Sequence, residues 1–137
     1  MVFSQTDLSD ADFIAQFEAL TLDSVYFDHK GHIRLAYLYL AQNSLDVAIQ
    51  KISSGIRAYA NSLGASEKFH ATITDAIIRV IATRMQTTRC KHWQSFLLEN
   101  KDLVDDALSI LHQYYSNDLL FSQTAKERFV LPDRQCW

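Results

Sequence analysis

Three histidines are the residues of this chain whose type and spacing are best suited to chemistry. His29 and His32 lie three residues apart at the start of a strongly apolar segment, and His70 lies at the start of another. Residues three apart in a helix share a face, so His29 and His32 should project together. The apolar stripes that follow predict that all three imidazoles face inward. The pattern therefore predicts a polar pocket at one end of a helical bundle.

Binding of one divalent transition metal is the first chemistry open to three neutral imidazoles. Three protein ligands and one open position are common in catalytic metal sites. Asp28 or Glu67 could add a carboxylate, and Glu67 precedes His70 with the Glu-x-x-His spacing of metal sites in helical bundles. The partial positive charge of a helix N-terminus keeps imidazole neutral but repels a cation. The helix N-termini therefore have two opposite effects on a metal site at His29, His32 and His70: they favour the neutral imidazoles that bind a metal, and they repel the metal ion itself.

An organic or anionic ligand is the second chemistry that this pattern allows. Backbone N–H groups at two helix N-termini attract a carboxylate or phosphate, which Thr72 and Arg34 could help to orient. The imidazoles would then act as hydrogen-bond donors or as general acid–base groups. A third interpretation gives the histidines a purely structural role, as caps or packing residues with satisfied nitrogens. The sequence leaves these three alternatives open.

Two further side chains are candidates for contact with a ligand. Thr74 follows His70 by four residues, and its hydroxyl should either orient an imidazole or bond the backbone one turn earlier, the second being commoner. Tyr39 belongs to an aromatic group with Tyr26, Phe27 and Tyr37. Core packing is the simpler role for these rings, and an aromatic wall of a small-molecule pocket is the alternative.

Composition limits the classes of function. The 137 residues fit one domain, 1–137, and 48% of them are apolar. The net charge of −3 argues against a nucleic-acid surface and against a polybasic membrane surface. No apolar run reaches the length of a bilayer span, and the N-terminus lacks the pattern of a signal peptide. Cys90 and Cys136 are interpreted as free thiols in a reducing compartment, which predicts a cytoplasmic protein.

Apolar spacing predicts an all-α fold, a single up-and-down helical bundle. Four main helices are expected at 9–20, 28–42, 44–63 and 67–87. Two or three shorter helices should follow, at 92–99, 101–115 and 117–129, before an irregular tail at 131–137. Short loops make successive helices antiparallel neighbours, so the second and fourth helices should run parallel. Their histidines would then lie at the same end of the bundle.

Five short blocks of residues between positions 26 and 133 form a pattern. Its blocks are Phe27-x-His29-x-x-His32-x-Arg34-x-Ala36-x-x-Tyr39-Leu40, Phe69-His70-x-Thr72-x-Thr74, Tyr115-Ser116, Ser122-x-x-Ala125-Lys126 and Phe129-Val130-x-Pro132-Asp133. In these blocks the chain resembles a family of small bacterial all-helical proteins. The resemblance implies that His29, His32 and His70 act together, and it implies no substrate. In that family the second block more often reads Tyr-His-Glu-Thr, whereas Phe69 and Ala71 stand here. This departure weakens the case for a carboxylate at position 71 that completes a metal site.

These observations together predict a small cytoplasmic protein with a histidine-lined pocket for a metal or a small ligand. They leave open whether the protein is an enzyme. A non-enzymatic module that forms a homodimer through a face rich in Tyr and Phe is the alternative. An anion-binding regulator with structural histidines is the remaining class.

Overall fold

The computed structural model describes residues 4–89 and 91–137, and all regular structure in those ranges is helical. The α-helices are α1 (Asp10–Glu18), α2 (His29–Gln42), α3 (Leu45–Ser62), α4 (Ala71–Thr87), α5 (Trp93–Glu99), α6 (Lys101–Asp105), α7 (Ala107–Leu111), α8 (Asn117–Leu120) and α9 (Gln123–Glu127). Short 3-10 turns occupy Gln5–Asp7, Ser24–Tyr26 and Ser66–Lys68. The prediction of an all-α fold is confirmed.

Helix α2 lies at the centre of the molecule. It contacts α3, α4, α5 and α6, and α3 also packs against α4. Five consecutive residues of α2, 33–37, are buried. Because consecutive residues point to different sides of a helix, this run buries α2 around most of its circumference. The cavity described below lies where α2, α3 and α4 meet.

Side-chain caps fix the start of the main helices. The Asp28 carboxylate accepts from the backbone N–H of Gly31 at 2.8 Å, as expected for the first residue before α2. Ser9 and Ser44 cap α1 and α3 in the same way. These three starts agree with the sequence pattern to within one residue.

Helix α4 begins later than its sequence pattern predicts. Residues 66–68 form a 3-10 turn, and His70 has extended backbone angles (φ −128°, ψ 109°) that place it just before the helix. The first helical residue is therefore Ala71, four positions after the predicted start. His70 itself is the capping residue, since its Nδ1 accepts from the N–H of Ile73 at 3.0 Å.

The C-terminal part contains more and shorter helices than predicted. The predicted helix at 101–115 is broken at Asp106, where the backbone leaves the helical region (φ −153°, ψ 52°). The predicted helix at 117–129 is interrupted after Leu120, and Ser122 caps a new helix through the N–H of Ala125. Five short helices thus replace the predicted two or three. The up-and-down order of the main helices stays a prediction.

The segment 131–137 has no regular structure, in keeping with the predicted tail, yet it packs against the turn before α8. The Asp133 carboxylate accepts from the N–H of Ser116 at 2.7 Å and from its hydroxyl at 2.6 Å. The Trp137 ring stacks on Tyr114, with centroids 4.2 Å apart. These contacts hold the end of the chain on the helical body.

Two sequence predictions, on the state of the cysteines and on membrane-spanning segments, can be compared with the structure. Cys136 is an exposed free thiol. Cys90 lies outside the described residues. Within the described ranges, each helix is too short or too polar to traverse a lipid bilayer.

Candidate functional site

A cavity of about 390 Å³ lies between α2, α3 and α4, and all three predicted histidines line it. Its volume is near the lower end of the range for small-molecule sites, roughly 300–1,000 Å³. The polar side chains of the lining are Asp28, His29, His32, Lys68, His70 and Thr74. The apolar ones are Phe27, Ile33, Ala36, Ile52, Ile56, Phe69, Ile73, Ile77 and Ile78. The cavity therefore combines hydrocarbon walls with a few polar groups.

His70 uses both ring nitrogens in hydrogen bonds to the backbone. Nδ1 accepts from the N–H of Ile73, and Nε2 donates to the carbonyl of Leu120 at 2.9 Å. A carbonyl can only accept, so the ring is the Nε2–H tautomer. Burial lowers the pKa of His70 below its ordinary value of 6.5, and the charge of Lys126 lowers it further, against the effect of the Leu120 hydrogen bond. The imidazole is thus neutral at pH 7, and it has no lone pair left for a ligand.

His32 is tied to the backbone by one nitrogen only. Nδ1 donates to the carbonyl of Asp28 at 2.8 Å, and the ring stacks on Phe27 with centroids 3.9 Å apart. Burial lowers the pKa of His32, and the nearby His29 lowers it further, while the Asp28 carbonyl and charge act in the opposite direction. The neutral ring therefore carries its lone pair on Nε2. That nitrogen has no protein partner in the part of the chain that the structure describes.

His29 also donates to a backbone carbonyl through one ring nitrogen, but through Nε2 and not through Nδ1. Nε2 donates to the carbonyl of Leu103 at 2.9 Å, so in the neutral ring the lone pair is on Nδ1. No protein group among residues 4–89 and 91–137 donates to this Nδ1. When both rings are neutral, His29 and His32 add to the cavity lining two acceptor nitrogens that have no partner among the described residues.

The three histidines do not form a metal site. Among the described residues, no group of three or more His, Cys, Asp or Glu side chains is placed to hold a metal ion. The lone pair of His70 is used by the cap of α4, and the Asp28 carboxylate accepts from Gly31 and from the side chain of Gln5. Glu67 is not part of the lining. The expectation of a divalent metal at His29, His32 and His70 therefore has no support in the structure.

The helix N-termini offer less to an anion than the sequence pattern suggests. Asp28 already occupies the N–H of Gly31 in α2, and His70 occupies the N–H of Ile73 in α4. The residue in the first of these caps carries a negative charge, which opposes a second anion at the same end of the helix.

Thr74 lies in the cavity lining, as predicted from its position four residues after His70. Its hydroxyl makes neither of the two predicted bonds, to an imidazole or to the backbone one turn earlier. No other group of the described chain accepts from it or donates to it. Thr74 thus adds a hydroxyl, which can donate or accept, to the two imidazole acceptors.

Thr72 lies outside the cavity. It is fully buried, and its hydroxyl donates to the carbonyl of Arg128 at 3.0 Å and accepts from the N–H of Val130 at 3.2 Å. This residue joins α4 to the C-terminal segment. The structure therefore gives Thr72 a packing role in place of the predicted contact with a ligand.

Arg34 also lies outside the cavity, although its side chain is only 1% exposed. The guanidinium donates to the carbonyls of Gln5 at 2.8 Å and Leu8 at 2.7 Å, and to the carboxylate of Asp10 at 2.8 Å. These partners all belong to the segment that precedes and begins α1. Arg34 fastens that segment to α2 and is not available to orient a ligand in the cavity.

Tyr39 lies outside the cavity, about two turns further along α2 than His32. Its hydroxyl donates to the carboxylate of Glu18 at 2.6 Å, which joins α2 to α1. Burial raises the pKa of Tyr39, and the hydrogen bond to Glu18 raises it further. Tyr37 and Tyr39 are both buried within the chain. They therefore do not form the exposed aromatic face that a homodimer was expected to use, and the dimer itself stays a prediction.

The residues that sequence reasoning missed are mostly the walls of the cavity. Phe69 lines it and carries the guanidinium of Arg57 on its ring, 4.5 Å from the centroid. Ile52 and Ile56 add a wall from α3, a helix that the sequence pattern did not connect with the histidines. Their spacing on the apolar stripe of α3 was the available signal.

Comparisons with protein-family models, curated proteins and solved structures found no match to this chain.

Proposed function

We propose that this protein binds a small, mainly apolar molecule in the cavity between α2, α3 and α4. His29, His32 and Thr74 would contact the polar end of that molecule. One observation supports the proposal above the others: hydrocarbon walls surround a space whose polar neighbours include three side chains, each with a polar atom that has no partner among residues 4–89 and 91–137. Small-molecule sites commonly have this composition, with apolar walls for affinity and a few polar groups for orientation.

The apolar lining would supply most of the affinity. Seven aliphatic side chains and two phenylalanines surround the space, and transfer of a ligand's hydrocarbon surface from water contributes about 25 cal/mol per Å². The polar groups would decide orientation, since a buried polar atom of the ligand needs a partner. The proposal is one of binding. It includes no reaction step, and it keeps the cytoplasm as the proposed location on the basis of the cysteine content.

Filling the cavity tests this proposal. Ile77 lines it and is half-buried, so Ile77→Phe should occupy the space with a ring at little cost to the fold. Leu131→Phe is the matched control, because Leu131 is 75% exposed and lies outside the cavity. A set of fragment-sized hydrocarbons, alcohols, amines and carboxylic acids would be screened by saturation-transfer NMR against the three proteins.

We expect some fragments to bind the wild type and Leu131→Phe and to lose binding to Ile77→Phe. Circular dichroism and thermal unfolding would verify that both variants are folded. Fragments that bind all three proteins equally, or a screen without any bound fragment, would contradict the proposed function.

A further inference from the structure

We infer that the ligand of this cavity is a neutral hydroxyl compound, an alcohol or phenol with a hydrocarbon body, that donates a hydrogen bond to Nε2 of His32. This inference rests on the proposed function and adds the chemical class of the ligand. It follows from which nitrogen of each ring carries the proton.

Backbone carbonyls fix the two tautomers. The carbonyl of Leu103 accepts from Nε2 of His29, and the carbonyl of Asp28 accepts from Nδ1 of His32. A neutral imidazole has one N–H, so the other nitrogen of each ring can only accept. Nε2 of the neutral His32 ring is therefore an acceptor that a ligand in the cavity can use. An O–H group donates a hydrogen bond to such an acceptor. An ether, ketone or ester oxygen is itself only an acceptor, so its lone pairs would face the lone pair of the ring nitrogen and repel it.

The neutral state of His32 disfavours an anionic ligand at the same position. A carboxylate or phosphate presents acceptors only, so it would require a protonated imidazole. Burial makes protonation of His32 unfavourable. The Asp28 carboxylate also belongs to the lining and would repel an anion.

Positive groups near the cavity disfavour an ammonium ligand. Lys68 is part of the lining and exposed, and Arg57 lies over Phe69. Lys126 acts electrostatically on His70. An ammonium group would add a further positive charge among them and lose its hydration. A neutral hydroxyl avoids both penalties, and the exposed Lys68 can keep its own charge in water.

The walls suit a compact hydrocarbon body. Phe27 and Phe69 provide aromatic faces, and the remaining walls are aliphatic. The volume of about 390 Å³ accommodates a fused two-ring compound. We therefore choose 2-naphthol as the probe, and compare it with 2-methoxynaphthalene and 2-naphthoate. The three compounds share the same ring system, but only the naphthol both donates a hydrogen bond and remains uncharged in neutral buffer.

Isothermal titration calorimetry on the full chain would give the three dissociation constants. We expect 2-naphthol to bind about ten-fold tighter than either of the other compounds, the effect of about one lost hydrogen bond. His32→Phe keeps a ring that can stack on Phe27 but removes the acceptor, so it should abolish the preference. Thr74→Val, which is isosteric, should weaken naphthol binding less than His32→Phe does. Leu131→Phe should preserve the wild-type order.

The outcomes separate the ligand class from the pocket itself. Equal affinity for naphthol and methoxynaphthalene, or tightest binding of naphthoate, would overturn the hydroxyl class while leaving the cavity as a binding site. If none of the three naphthalene compounds binds but other fragments bind the wild type and lose binding to Ile77→Phe, the hydroxyl class is again wrong. If the fragment screen is also empty, the proposed function fails. Should His32→Phe not fold, His32→Leu, which also removes the acceptor, takes its place with the same expected result.

Discussion

Replacing Arg34 by methionine should destabilise the fold strongly. The change keeps most of the stem but removes five hydrogen bonds to the N-terminal segment, three of them within 2.8 Å. It also removes two cation–π contacts, since the guanidinium carbon lies 4.4 Å from the Phe13 centroid and 4.5 Å from that of Trp93. Loss of one partner of a buried pair costs roughly 3–5 kcal/mol. Because the Asp10 side chain is 53% exposed and water can solvate it, we expect the lower end, about 3 kcal/mol.

Urea denaturation followed by circular dichroism would measure this loss. With a slope of roughly 1–3 kcal/mol per molar urea, the midpoint should fall by about 1–3 M. Asp10→Asn is the matched control, since it leaves the two carbonyl partners of Arg34 in place and should cost about 1 kcal/mol. A free energy of unfolding for Arg34→Met within 1 kcal/mol of the wild type, on the scale of a single net hydrogen bond, would refute this reasoning. Loss of fragment binding without loss of stability would instead return Arg34 to the ligand-binding residues.

Three further changes have expected outcomes that follow from single contacts. A β-carbon on Gly31 would lie 1.9 Å from the carbonyl oxygen of Tyr26, so Gly31→Ala should lower the free energy of unfolding in urea by roughly 2–3 kcal/mol. Tyr39→Phe should cost about 1 kcal/mol in the same assay and leave fragment binding unchanged, because Tyr39 lies outside the cavity. The free energy of unfolding should fall as the pH decreases below 6.5, the ordinary histidine value, toward the lowered pKa of His32 and His70, since there the unfolded chain binds protons that the folded one does not. His70→Asn, which retains a capping oxygen, should make that dependence shallower in unfolding curves recorded across this pH range; an unchanged slope would contradict the assignment.

Much of the fold could be predicted because the long helices carry strong local signals. Asp28 and Ser44 are preferred capping residues, and both lie immediately before apolar stripes of helical spacing. The breaks at Asp106 and Phe121 lack the glycine or proline that commonly ends a helix, and the second is marked only by the capping serine that follows it, Ser122. Tertiary contacts, which a local pattern does not contain, decide those positions.

The histidines and Thr74 of the cavity lining were predictable from the sequence, whereas most of the walls and the hydrogen bonds were not. The stripes that begin at His29, His32 and His70 placed all three around one space. The groups that fix the protons on two of the rings are backbone carbonyls 74 and 50 residues away, at Leu103 and Leu120. Every residue has a backbone carbonyl, so no residue type in the sequence marks the carbonyls that will accept these hydrogen bonds. The roles expected of Arg34 and Thr72 failed to appear for the same reason, since both bind carbonyls elsewhere in the chain.

The displaced start of α4 and the missing metal site have one physical origin. Had the helix begun at residue 67, His70 would lie within its first turn, and its side chain would not be needed as a cap. Because the helix begins at Ala71, His70 has to satisfy the N–H of Ile73, and this consumes its Nδ1 lone pair. Leu120 then takes the proton on Nε2. Of the three rings, only those of His29 and His32 keep a lone pair when neutral, which is one fewer than the three protein ligands that are common in catalytic metal sites.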